Sequence, residues 1–153
     1  MNYITPQQTI LLVDDSDEDF EVTKRGFNRA RMVNPIRRCT DGEDALSYLF
    51  RRGPYADPKS SPRPGIIMLD LNMPGTDGRE VLKAIKTDTL LKKIPVIVLT
   101  TSSDDRDIEK CYNEGANSYI VKPVNLDGFM EAIQRLRDYW FEVVVIPKPV
   151  TGE

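Results

Sequence analysis

Several residues with chemistry to offer occupy the same kind of place in this sequence. Asp14 and Asp15 close the apolar run ILLV at 10–13, and Asp70 closes IIML at 66–69. Thr100 closes VIVL at 96–99, and Lys122 closes YIV at 119–121. Short unbroken apolar runs suit strands buried on both faces, as in a parallel sheet. All such strands end on one edge of the sheet, where open α/β folds place their ligands. Three carboxylates, a hydroxyl and an ammonium should therefore converge. Each has a plain structural reading by itself: Asp14 as a helix cap, Thr100 as a turn residue, Lys122 as a surface cation. Gathered together, carboxylates repel and raise one another's pKa unless a cation joins them. The chain has no histidine and no cysteine close to these positions, so the ligands are all oxygen and Mg²⁺ is the natural ion. A carboxylate can also act as nucleophile toward a phosphoryl group, giving an aspartyl phosphate. The metal and a lysine would then stabilise the charge on the group in transfer.

The elements that position these residues can be read from the spacing. After Asp14 and Asp15, Ser16 is a plausible N-cap with Asp17, Glu18 and Asp19 in the first turn, and a helix should run to about Ala30, burying Phe20, Thr23 and Phe27. The segment 35–39 is a weak second strand. Asp41 caps a helix through Ala45, Leu46, Leu49 and Phe50. The proline-rich stretch 51–64 reads as a surface loop, long for such a connection. Beyond Asp70, the turn formers Asn72, Pro74, Gly75 and Gly78 lead into a helix over 80–88 with Val81, Leu82 and Ile85 on one face. A strand at 96–99, a helix at 104–114 stopped by Gly115, a strand at 119–121 and a helix from about Leu126 complete the chain. Alternating strands and helices predict a parallel sheet with helices on both faces. The domain is expected over 8–141, with 142–153 as a C-terminal extension and no separate output domain.

Composition narrows the function classes. A chain of 153 residues fits one domain that buries about 70% of its unfolded surface. The lack of histidine excludes a Ser–His–Asp triad, a His-ligated metal and a phosphohistidine on this chain. The net charge of −3 gives no bulk attraction to nucleic acid or anionic membrane. No apolar run approaches the roughly 20 residues of a membrane span, and the N-terminus lacks a signal pattern, so a cytoplasmic protein is expected. Cys39 and Cys111 lack metal-type pairing and read as reduced, buried thiols.

The joint pattern resembles the receiver domain of two-component response regulators. It rests on Asp14–Asp15 after the first strand, Asp70 within LDLNMPGTDG, Thr100 after PVIVL, and Tyr119 with Lys122–Pro123. The resemblance implies a flavodoxin-like (βα)5 three-layer sandwich with strand order 2-1-3-4-5. It implies that Asp70 accepts the phosphoryl group and that Asp15, Asp70 and the backbone carbonyl of Asn72 bind Mg²⁺, with Asp14 acting through water. Lys122 would pair with the phosphate, Thr100 would swing toward it, Tyr119 would follow inward, and the Lys122–Pro123 bond would be cis. A narrower similarity is to the short, stand-alone regulators that partner cyanobacterial phytochrome histidine kinases, on the Pro-rich loop, GREVLKAIK and the ending DYWFEVVVIP. The implied protein is not an enzyme but a phospho-accepting switch that takes its phosphate from a partner histidine kinase.

Other functions fit less well. A phosphohydrolase with an Asp nucleophile needs a second acid two residues on, and Asn72 there cannot shuttle a proton. A degenerate receiver used only as a scaffold would not need the intact acid site. A flavin carrier on the same fold would meet the acidic DDSDED loop, which repels a phosphate. At the C-terminus an apolar stripe runs through Leu126, Phe129, Met130, Ile133, Leu136 and Trp140 at helical spacing. It continues through Phe141, Val143, Val144, Val145 and Ile146 to Pro147, beyond what one sheet can cover. Tyr139, Trp140, Phe141, Val143, Val144 and Ile146 are thus the expected interface of a homodimer; the alternative is that the tail folds back over the domain, as an extra edge strand for example.

Overall fold

The strand-forming stretches are those in which Val, Ile and Leu follow one another without polar interruption, and the helices begin where an Asp, Asn or Ser can cap them. In a computed structural model, which describes residues 3–148, the order is β1 (Thr9–Val13), α1 (Asp17–Arg29), β2 (Ile36–Cys39), α2 (Gly42–Leu49), β3 (Pro64–Leu69), α3 (Gly78–Thr87), β4 (Val96–Thr100), α4 (Asp105–Asn113), β5 (Ser118–Val121) and α5 (Leu126–Asp138). The strands form one parallel sheet in the order β2-β1-β3-β4-β5, the expected flavodoxin-like topology.

Capping explains the helix starts. The side chains of Ser16, Asp41, Asp77, Asp104 and Asn125 each accept a backbone N–H from the first turn that follows, which satisfies donors that a helix leaves orphaned. Capped by Asp77, α3 starts two residues ahead of the start read from the apolar spacing, because capping chemistry rather than hydrophobic period sets a helix terminus. The loop after α2 is less free than its composition suggests. It holds a 3-10 turn at Gly53–Tyr55, Tyr48 donates its hydroxyl to the Pro62 carbonyl at 2.6 Å, and the Tyr48 and Tyr55 rings meet edge to face at 5.3 Å.

Alternate residues of each central strand enter opposite cores, as the two-residue strand period requires. Leu11, Val13, Ile67, Leu69 and Val98 face Ala45, Leu49, Val81, Leu82 and Ile85 of α2 and α3. Ile10, Leu12, Ile66, Met68, Ile97 and Leu99 face Val22 and Phe27 of α1 and Phe129, Met130 and Ile133 of α5. Both cysteines are buried and unpaired, as expected, and burial pushes the Cys39 thiol up to about 12. Gly78 is required where it stands: a Cβ there would lie 2.1 Å from the Asp70 carbonyl oxygen, so α3 can start directly against the end of β3.

The C-terminal segment corrects the reading of the tail. After α5 the chain makes a π-helical turn, Tyr139–Val143, closed by the Val144 N–H donating to the Tyr139 carbonyl at 3.0 Å. The wider turn rotates the stripe, so it no longer overhangs as a single face. Trp140 and Ile146 are buried in the protein's own core beside Ile4, and Phe141 and Val144 pack half-buried against it. Trp140 and Ile146, expected at an interface, are instead covered within the chain, and the fold-back takes place without an additional strand among the described residues. Tyr139 and Val143 remain exposed, at 55% and 64%. Trp140→Ala should cost about 3–5 kcal/mol, whereas Tyr139→Ala should stay within about 0.5 kcal/mol. Urea unfolding of both variants checks this, and equal costs would contradict the packing of the tail.

Candidate functional site

Register brings the polar strand ends together. Val13 is paired with both Cys39 and Leu69, and Leu69 with Val98. The ladder extends one residue past β1 and β3: the Asp14 N–H donates to Cys39 and the Asp70 N–H donates to Val13, at 3.0 and 2.9 Å. The Asp14 and Asp70 side chains are thereby fixed side by side at the carboxyl edge. Carboxylate oxygens of Asp14, Asp15 and Asp70 lie within 4.8 Å of one another. Asp14 and Asp70 are buried and Asp15 is exposed, so the trio opens to solvent on one side. An all-oxygen donor set with an open side fits a hard divalent ion such as Mg²⁺.

Lys122 reaches this cluster from the end of β5. Its Nζ lies 2.7 Å from Asp14 Oδ2, 2.8 Å from Asp19 Oδ2 and 3.3 Å from Asp70 Oδ2. Burial works to push the Lys122 ammonium down, but its hydrogen bonds to Asp14 and Asp19 and the charges of Asp14 and Asp70 outweigh this and raise it. It stays protonated. Asp14 is also raised, because burial of its carboxyl exceeds what the bonds from Lys122 and the Ser16 N–H recover. The two shifts are compatible: one ammonium has three carboxylates around it, while Asp14 shares its single cation with the others. Asp14 is held further by Arg38 of β2, whose Nε donates to the Asp14 carbonyl at 3.1 Å while its Nη1 pairs with Asp17 at 2.7 Å. The Asn72 N–H donates to Asp70 Oδ1 at 3.3 Å, which ties the β3–α3 loop to the acid.

The structure brings some of the expected site residues together and corrects one expected backbone geometry. Asp14, Asp15, Asp70 and Lys122 converge, and Thr100 is fully buried at the end of β4. Tyr119 packs half-buried against the α2–α4 core and donates its hydroxyl to the Ser102 carbonyl at 2.9 Å. The Lys122–Pro123 bond expected to be cis is trans, since no peptide bond among the described residues is cis. The trans form is the lower in energy by about 0.5–1 kcal/mol for an X–Pro bond, and from it Lys122 already reaches all three acids.

Two features escaped the sequence. Asp19 was readable as a first-turn helix acid, and that role hid its bond to Lys122; its position one helical turn past the acidic pair, on the face toward the strand ends, was the available signal. The second is a chain of bonds behind Thr100. The Ser102 N–H points to Thr100 Oγ1 at 3.4 Å, and Ser102 Oγ donates to Asp107 Oδ2 at 2.7 Å. Arg79 of α3 grips Asp107 through Nε and Nη2 at 2.8 and 2.7 Å and also pairs with Asp77. Arg79 and then Ser102 hold the Asp107 carboxyl down at about 2. A folded-state value below the ordinary 3.8 means stability present above about pH 4 and lost as pH falls toward 2. Arg79→Ala should flatten that part of the stability profile; urea midpoints measured between pH 4 and 2 on both proteins check it, and parallel profiles would exclude the pair as a contributor.

The comparisons agree with this geometry. The family model for the response regulator receiver domain matches residues 10–134. The chain is 38% identical over 142 residues to response regulator Rcp1 of Synechocystis sp., covering 93% of this chain and 95% of that protein. The crystal structure of the phosphorylated cyanobacterial phytochrome response regulator RcpA superposes with a TM-score of 0.87 at 35% identity, over 93% of this chain and 99% of that one. The Mn²⁺-bound form of Rcp1 gives 0.85 at 38% identity, over 92% and 99%.

Proposed function

The chain belongs to the response regulator receiver family and is related to the phytochrome response regulators, and from that premise we propose that it is a switch that accepts a phosphoryl group on Asp70 from a partner histidine kinase. The observation that carries the proposal is the buried Lys122 ammonium joining Asp14 and Asp70 beside the exposed Asp15. In the transfer, a carboxylate oxygen of Asp70 forms a bond to phosphorus as the P–N bond to the kinase's phosphohistidine breaks, and the electron pair returns to the imidazole. The donor histidine must come from the partner, as this chain has none. Lys122 provides fixed positive charge beside the incoming phosphoryl oxygens, and Thr100 provides a hydroxyl. Mg²⁺ held by Asp15, Asp70 and the Asn72 carbonyl, with Asp14 through water, would neutralise phosphoryl charge when bound.

Asn72, two residues beyond Asp70, cannot act as a general acid or base, which suits a lasting mark rather than turnover. A phosphate can shift the Thr100–Tyr119 region only by binding one arrangement better than another, and Thr100 offers that differential bond. The relatives Rcp1 and RcpA favour a phytochrome-type kinase as donor, and the net charge of −3 favours output by protein–protein contact in the cytoplasm over nucleic acid or membrane binding. No helix among the described residues is long and apolar enough to cross a membrane. The exposed Tyr139, Val143 and Val145 are the apolar part of the tail left to join two copies as a homodimer.

Incubation with acetyl phosphate and Mg²⁺ should add one phosphoryl mass to the parent and none to Asp70→Asn; an equal gain in both, by intact mass, would remove Asp70 as acceptor. Asp14 and Asp15 should separate in Mg²⁺ affinity. Asp15→Asn should lose the greater part of it with little change in stability. Asp14→Asn should lose less of it, and because burial already raises the Asp14 carboxyl and Lys122 keeps Asp19 and Asp70, it should unfold within about 1 kcal/mol of the parent. Calorimetric Mg²⁺ titration and urea unfolding on each variant check the split, and a larger metal loss at Asp14 would reverse the assignment.

A further inference from the structure

An ammonium has three N–H donors, and Lys122 has already committed all three. They go to Asp14, Asp19 and Asp70, at 2.7, 2.8 and 3.3 Å. A phosphoryl oxygen on Asp70 can be joined by Lys122 only if one of these bonds is exchanged. The three are not equally easy to give up. Asp14 is 3% exposed, and releasing it would strand a buried carboxylate without a cation. The bond to Asp70, the longest of the three, weakens when phosphorylation removes that carboxylate's charge, but it releases a single donor, whereas the phosphoryl group brings three oxygens. Asp19 is different: its side chain is 29% exposed, and it lines an open cleft with Thr101, Lys122 and Pro123, so water can take over its solvation.

Asp19 is also well placed to hold rather than merely attract. It sits in the first turn of α1, its backbone N–H is fixed by Ser16 Oγ at 3.1 Å, and its carbonyl accepts from Thr23 Oγ1 at 2.8 Å. The carboxylate is therefore presented to Lys122 from a rigid helix end.

We propose that Asp19 is a positioning residue that competes with the phosphoryl group for Lys122, so that Lys122, pivoting on Asp14, exchanges its bond to Asp19 for one to the group on Asp70. This rests on the phospho-accepting role of Asp70 proposed above. The bond to Asp19 is charge-assisted and so stronger than a neutral one. Its loss on exchange lowers the affinity of the site for a phosphoryl group, and the length of the Asp70 bond shows where the ammonium is drawn. Asp19→Asn keeps the size and an acceptor oxygen but removes the charge, so the exchange becomes easier.

Beryllofluoride, which attaches to a carboxylate oxygen as a phosphoryl analogue, is the probe, titrated by calorimetry at saturating Mg²⁺. Glu18→Gln is the control. Glu18 is the neighbouring acid of the same turn and is exposed, so this variant removes an equal charge without touching Lys122. Asp19→Asn should bind beryllofluoride at least threefold more tightly than the parent, Asp19→Ser likewise, Asp19→Glu within twofold of the parent, and Glu18→Gln unchanged. Unchanged or weaker binding in both neutral Asp19 variants would overturn the proposal, and so would an equal gain in Glu18→Gln, which would make it a general charge effect. A parent that does not bind beryllofluoride at all would instead overturn the phospho-accepting role itself.

Discussion

The bond from Lys122 to the acids at the ends of β1 and β3 is the interaction on which the rest of this molecule depends. Carboxylates on neighbouring parallel strands cannot be buried together without a cation. Lys122 supplies it from the far side of the sheet, with a side chain only 4% exposed. That arrangement demands that β1, β3, β4 and β5 end in register. It also demands that the β5 backbone be fixed where it leaves the sheet, which the Lys122 N–H does by donating to the Thr100 carbonyl at 2.7 Å. The hydrophobic sandwich holds the strands level; the ion cluster then uses that level edge. Neither side is free to slip by one residue, because a slip would send every strand side chain to the opposite core.

A buried cluster of this kind is a poor source of stability, since the desolvation of each ion offsets much of the attraction. Its value lies in responsiveness. A charge added at Asp70 would change the balance for Lys122, and the bonds around it are few enough for the change to be felt at each. Behind Thr100, Ser102 stands where three such consequences meet: its N–H, side chain and carbonyl touch Thr100, Asp107 and Tyr119 respectively. Arg79 then carries the linkage to α3. The contacts form a continuous physical path from the acid site to the faces of α3, α4 and β5, made of hydrogen bonds and ion pairs whose partners lie on different elements.

Much of this was legible in the sequence because it follows from strong local rules. The unbroken runs ILLV, IIML and VIVL could only be strands covered on both faces, and the polar residue at the end of each had to lie on one edge. Asp70 and Thr100 were found that way, and so was Lys122, although β5 is an edge strand and its apolar run is short. What was not legible depends on side-chain reach or on backbone detail. The bond between Asp19 and Lys122 joins residues 103 positions apart, and a first-turn acid already has a sufficient local reason to exist. Arg79 and Asp107 lie on two different helices, 28 positions apart, and no local rule pairs them. The tail was misread because its stripe was extended at one helical period, whereas a single π-helical turn changes the phase and returns Ile146 to the sheet.

The tail also shows how a domain edge is finished. Ile4 and Ile146, near opposite ends of the described chain, share one core with Trp140. The same apolar content that would have made a continuous helix a large exposed patch is divided by the turn. Trp140, Ile146 and, in part, Phe141 and Val144 close the α1–α5 face from below, while Tyr139, Val143 and Val145 are left outside. Because α5 packs against α1, with Gly26 allowing an approach so close that a Cβ there would lie 2.7 Å from Ile133 Cγ2, the tail, α5 and α1 behave as one layer. That layer presents Asp19 to Lys122 at its upper end. The position of the acid that holds the ammonium is in this way set by packing along the whole length of the two helices, and the site inherits its precision from the core beneath it.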